Sequence, residues 1–128
     1  MIGVNDMCKY KIMIAFRSMA FDCGLSTSQA ASALMECSEQ DKKLYGNTLN
    51  SWCHDEYYIP AWALVAAIKW LENNNWSPAS MDEWSVWSKV KNRSCEESGN
   101  IFDAIPSCWS EHQKELGKIW LMRSQREG

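Results

Sequence analysis

The stretch 59–72, IPAWALVAAIKWLE, constrains this chain more than any other, because its pattern has a single structural reading. Pro60 suits the first turn of a helix, where its fixed φ fits and its missing N–H costs no hydrogen bond. Beyond it Ala61, Leu64, Ile68 and Leu71 fall on one stripe at helical spacing, while Ala63, Ala66, Ala67 and Trp70 leave polar flank only at Lys69 and Glu72. Such a helix is buried nearly all round. At roughly a dozen residues it is too short to span a bilayer, so no membrane partner is expected. The stretch is therefore predicted as the central helix of an all-α fold, a small bundle of five to six helices.

The remaining elements follow in chain order. Asn5 can cap a first helix that runs to about Asp22, with Ile12, Ala15, Phe16, Met19 and Cys23 on its apolar face, and Gly24 ends it. Ser26 and Gln29, in S-T-S-Q, form a capping box in front of Ala30, Ala31, Leu34 and Cys37. A third piece can start at Ser38, with Asp41 reaching back to the cap, and end at Gly46. Asn47 then caps a fourth piece in which Leu49 and Trp52 face inward, and Asn47, Thr48, Asn50 and Ser51 form the small polar side. The run Asn73-Asn74-Asn75 is the sharpest boundary in the chain. Ser80 and Glu83 make a second capping box ahead of Trp84, Trp87 and Val90. Residues 93–100 read as an exposed loop, and Ser107 can cap a last helix with Trp109, Leu116, Ile119 and Trp120 on one side.

Composition narrows the function classes. A chain of 128 residues can hold one core without staples, and a net charge of −3 with a pI near 5.4 gives no electrostatic footprint for non-specific nucleic-acid binding. Six cysteines are an even number, but the opening MIGVNDMCKYKIMIAF lacks the pattern of a secretory leader. Reduced thiols and a cytoplasmic location are the expectation.

From residue 25 to 72 the order S-T-S-Q-A-A-S-A-L, then N-T-L-N-S-W, then the Pro-started helix, resembles the helix-turn-helix domains of phage and bacterial repressors of the Cro/repressor type. The resemblance implies that Asn47, Thr48, Asn50 and Ser51 are recognition-helix residues facing double-stranded DNA, with Leu49 and Trp52 as anchors and Gln29 near the phosphate backbone. Asn can pair with both exposed groups of an adenine edge, and small hydroxyls reach phosphates or bases at close range. With so acidic a chain, phosphate contacts fall to local cations, chiefly Lys42 and Lys43, with Lys9 and Lys11 as further candidates.

Residues 76–128 are expected to form a Trp-rich helical extension of the helix-turn-helix-like part at 1–75. Eight Trp in this length is many, and buried Trp is the commonest anchor of an interface. Trp76, Trp84, Trp87, Trp109 and Trp120 are candidate partner-binding residues, in a homodimer or against another protein. A small acidic protein-binding module without DNA binding, such as an inhibitor, adaptor or antitoxin, is the alternative, and Tyr57 and Tyr58 beside Asp55 and Glu56 would serve it.

Catalytic constellations are hard to find. Cys108 and His112 are four apart, with Cys95 upstream, yet further ligands at tight local spacing are missing. Cys53 and His54 are adjacent, so on a helix they point apart and cannot act on one another. No Gly-rich phosphate loop, nucleophile elbow or paired-carboxylate pattern occurs. An enzyme is the least supported class, and no metal or cofactor is assigned.

Overall fold

Six α-helices and a short 3₁₀ turn make up the computed structural model, which describes residues 4–38, 43–54, 58–94 and 101–127. The helices are α1 (Val4–Asp22), α2 (Thr27–Ser38), α3 (Gly46–Trp52), α4 (Ala61–Asn73), α5 (Met81–Ser94) and α6 (Glu111–Glu127), with the 3₁₀ turn at Ile101–Ala104. No strand occurs among the described residues, so the all-α bundle expected from the pattern is what forms. None of the described helices is long and apolar enough to cross a membrane.

Helix α4 packs on α1, α2 and α5, with Ala63, Leu64, Ala66, Ala67, Ile68 and Leu71 all buried. Its alanines let α1 and α2 approach its backbone. It shares the centre with α1, which also touches α2, α3 and α5, so one core continues across residue 75. Two expectations for α4 need correction. Pro60 is the N-cap rather than part of the first turn, and Ala61, placed by spacing on the inner stripe, is exposed together with Val65 and Lys69. Ala61 and Val65 instead line an open cleft shared with Lys9 of α1 and Val90 of α5.

The boundaries follow from local chemistry. Gly24 has φ +86°, and its N–H donates to Phe21 O while that of Leu25 donates to Ala20 O, both at 2.9 Å. This pairing of bonds satisfies the last carbonyls of α1 and turns the chain straight into α2. The same device closes α4: Asn75 takes φ 66°, its N–H bonds Glu72 O at 3.2 Å, and Trp76 N–H bonds Leu71 O at 3.0 Å. Asn is the one common non-glycine residue that tolerates this conformation, which is why the Asn run marks the boundary. The first capping box forms in full and the second only in half. Ser26 N–H donates to Gln29 Oε1 at 2.8 Å and Gln29 N–H to Ser26 Oγ at 3.2 Å. Glu83 N–H donates to Ser80 Oγ at 3.2 Å, but the Glu83 carboxylate accepts from Ala79 N–H, one residue before the cap.

Other starts shift. Asn5 lies inside α1, which begins at Val4. Its buried arc is Ile12, Met13, Phe16 and Ala20, with Ala15 and Met19 half-buried and Cys23 exposed, because α1 is wedged between α4 and α5 rather than lying on one neighbour. Ser38 closes α2, its hydroxyl donating to Met35 O, instead of opening a third piece. Residues 43–45 are not helical, and the rest of that expected piece lies outside the described residues. Ser110, not Ser107, caps α6, accepting from Gln113 N–H at 3.2 Å. Arg93 and Ser94 belong to α5, and residues 95–100 lie outside the described part.

The tryptophans expected at a partner surface are mostly core. Trp76, Trp84, Trp87 and Trp109 are buried within the chain. Trp84 meets Trp87 and Trp109 edge to face at 5.4 and 5.6 Å, and Trp87 lies 5.2 Å from Trp109. Gly117 of α6 leaves the space they need: a Cβ there would touch Trp87, Trp109 and Ile105 at 3.4 Å. Trp120 is half-buried with Arg123 stacked over its ring at 5.0 Å. The reason for expecting a dimer surface on these rings, that two short helices could not hide them, therefore falls: α5, α6 and the segment 101–109 hide them together.

Candidate nucleic-acid interface

The residues singled out for DNA sit where α2 and α3 meet. Gly46, the first residue of α3, lies against the start of α2, so that a Cβ in its place would stand 3.0 Å from Thr27 Cγ2. The two helix N-termini are thereby brought side by side. Tyr45 is the N-cap and contributes no side-chain bond, its carbonyl accepting from Thr48 and Leu49 N–H at 3.1 and 3.2 Å. Asn47, expected to be the cap, is instead in the first turn.

Helix α3 is seven residues long and strongly two-sided. Leu49 and Trp52 are buried, Trp52 meeting the edge of Trp62 from α4 at 5.8 Å. On the opposite side Asn47 and Asn50 are exposed, three apart on one face, while Thr48 and Ser51 are half-buried flanks. Ser51 Oγ donates to Asn47 O at 3.0 Å, which leaves its lone pairs as the outward feature. Lys43 is exposed with its ammonium 5.3 Å from the Tyr45 ring, and Lys42 lies outside the described residues. Gln29 is exposed on the first turn of α2, but its side-chain oxygen is committed to the capping box.

One member of this surface was not legible in the sequence. Arg17 of α1 donates from Nη1 to Asn50 Oδ1 at 3.0 Å, bringing a fixed positive charge onto the α3 face. The pair is separated by 33 residues, so no local spacing announces it. Arg17 also acts on Cys53, which ends α3: burial pushes that thiol up from its ordinary range, and the nearby guanidinium partly offsets the push. Cys53 is buried with Sγ 3.5 Å from Leu49 O, whereas His54 is exposed, so the two do not form a reacting pair. Cys37 on α2 is likewise pushed up, by burial first, with Lys69 lowering and Glu36 raising it.

The remaining candidates do not converge. Cys108 lies in the turn before α6 and is exposed, as is His112, so the helical four-residue spacing assumed for them does not apply. No group of three potential metal ligands occurs among the described residues. Cys23, Cys37, Cys53 and Cys108 are free thiols. Tyr58 is exposed at the approach to α4, while Asp55, Glu56 and Tyr57 lie outside the described residues. Comparison with protein-family models, curated proteins and solved structures finds no match to this chain.

Proposed function

We propose that this chain is a sequence-specific DNA-binding regulator of the helix-turn-helix kind, with α3 as its reading helix. One observation carries the reading: α3 presents Asn47 and Asn50 to solvent on one face while Leu49 and Trp52 lock the other into the core. A short helix held this firmly can offer two amide side chains to a groove without a large ordering cost. Arg17 reaches that face through Asn50, and exposed Lys43 stands over Tyr45 just ahead of α3; the two are the charges available for phosphates that the net balance of the chain does not supply. The connection of residues 39–45 between α2 and α3 is longer than the tight turn of the repressors the sequence resembles. Packing on α2, with Gly46 against Thr27, holds α3 in its place.

The competing reading, an acidic protein-binding module, loses its principal anchors because Trp76, Trp84, Trp87 and Trp109 are interior. Selection of bound duplexes from a random pool, followed by anisotropy titrations across a range of salt, tests the proposal. A single enriched sequence, bound with a steep salt dependence and losing discrimination at one base position in Asn50→Ala, is expected. Failure to retain any duplex at low salt would sink the DNA reading in favour of a protein partner.

A further inference from the structure

Helices α1, α4 and α5 enclose a half-open cleft of about 150 Å³ whose described lining includes no residue of α3. Its floor is Leu64, Val65 and Val90, and its rim carries Lys9, Lys89 and Arg93. Val65 is 41% exposed there, an aliphatic side chain left uncovered beside buried Leu64. Lys89 and Arg93 stand together beside one apolar floor, and no acidic residue lines it among the described residues.

The described carboxylates of α4 and α5 are held elsewhere. Glu72 accepts from Trp87 and Lys91, Asp82 pairs with Lys11, and Glu83 caps Ala79 N–H. Like charges over an apolar surface repel more than they do in open water, so an anion seated among them gains more than it would at an isolated lysine. A guanidinium beside an ammonium suits a carboxylate in particular, since the fork of Arg93 can take both oxygens.

We propose that this cleft binds a small aliphatic carboxylate, its tail on Leu64, Val65 and Val90 and its head between Lys89 and Arg93. The site is separate from α3, and its fate does not depend on DNA binding.

The test is a titration of the full-length protein, labelled at its Leu, Val and Ile methyl groups, with butyrate, hexanoate, octanoate and decanoate, each paired with the primary alcohol of equal length. Saturable shifts confined to Leu64, Val65 and Val90 are expected, each added methylene tightening binding about threefold to fourfold until the cleft is full. The alcohols should bind about tenfold or more weakly, and the double variant Lys89→Gln/Arg93→Gln should reduce the carboxylates to the level of the alcohols. Val65→Trp, at an exposed position, should fill the cleft and abolish the shifts, with the Ile68 methyl signal reporting that the core is intact. Shifts that do not saturate at millimolar octanoate, alcohols that bind as well as acids, or a double variant that binds like the parent would each overturn the assignment.

Discussion

The indole N–H of Trp87 donates to Glu72 Oε2 at 2.8 Å, and Lys91 takes the other carboxylate oxygen at the same distance, so one side chain at the end of α4 satisfies two groups of α5. The Lys91 and Glu72 side chains are only 17% and 12% accessible, which places the pair between a surface and a buried bridge. Removing the carboxylate with Glu72→Ala leaves a buried indole donor and an ammonium without an acceptor, an expected loss of about 1–3 kcal/mol. Glu72→Gln keeps an acceptor for Trp87 and should cost less. Urea unfolding of both variants decides it: equal losses would assign the effect to Lys91 alone.

Gly117 is the second point where the tryptophan cluster is exposed to test. A methyl group there meets its neighbours at 3.4 Å, an ordinary contact, and replaces a residue that weakens a helix interior. Gly117→Ala is expected to raise stability by up to about 1 kcal/mol. Gly117→Val adds branches for which Trp87 and Trp109 leave no room and should lower it by about 1–3 kcal/mol. Thermal melts of the two variants should move in opposite directions.

Asn75 holds a left-handed conformation that delivers Trp76 to the core, where its carbonyl accepts from Trp109 Nε1 at 3.0 Å. Asn75→Gly removes the residual strain and should be neutral or stabilising, whereas Asn75→Ala should cost about 1 kcal/mol. A melting temperature lower for the glycine variant than for the alanine variant would contradict this account of the turn.

These three positions show what the sequence makes legible. The Ser26–Gln29 capping box, the inner α4 positions Leu64, Ile68 and Leu71, and the Asn boundary depend on near neighbours and form, whereas Ala61 of the expected stripe is exposed and Glu83 accepts from Ala79 rather than Ser80. What was misread depends on neighbours distant in sequence. Ile119 looked like an inner residue of α6 and is 57% exposed, while Gly117 points inward, because the rings of Trp87 and Trp109 choose that face. The inner arc of α1 is turned toward Met13 and Ala20 by packing on two helices. At the candidate site the two-sidedness of α3 was readable, and the approach of Arg17 was not.

Burial raises the Cys53 thiol above its ordinary range, so between that range and its raised value the folded protein holds a proton that the unfolded chain releases. Unfolding is then favoured by alkali: the contribution of Cys53 is complete below the ordinary thiol range and is lost as pH rises through the folded value. Labelling with iodoacetamide at mildly alkaline pH should modify exposed Cys23 and Cys108 first and Cys53 last. Cys53→Ala should flatten the alkaline fall in stability. A Cys53 that reacts as fast as Cys23 would mean that α3 opens readily.

Arg17 and Asn50 give the DNA proposal its sharpest test, because in the free protein Arg17 occupies the oxygen that an adenine-reading Asn needs. A bidentate contact accepts from the adenine N6 amino group through that oxygen and donates to N7 through the amide. That oxygen has two lone pairs and can accept from both donors, so the bond is given up only where the Arg17 guanidinium turns to a phosphate. Asn50→Ala is expected to cost about 1–3 kcal/mol at one base position and little on other sequences. Arg17→Ala should weaken all duplexes and lower the salt slope by about one, with a partial gain from freeing Asn50. The double variant should consequently lose more than the sum of the single losses on both duplexes, by the worth of the Arg17–Asn50 bond that each single variant already removes, a coupling that anisotropy titrations resolve. Strict additivity on both duplexes would show that the 3.0 Å bond plays no part in recognition.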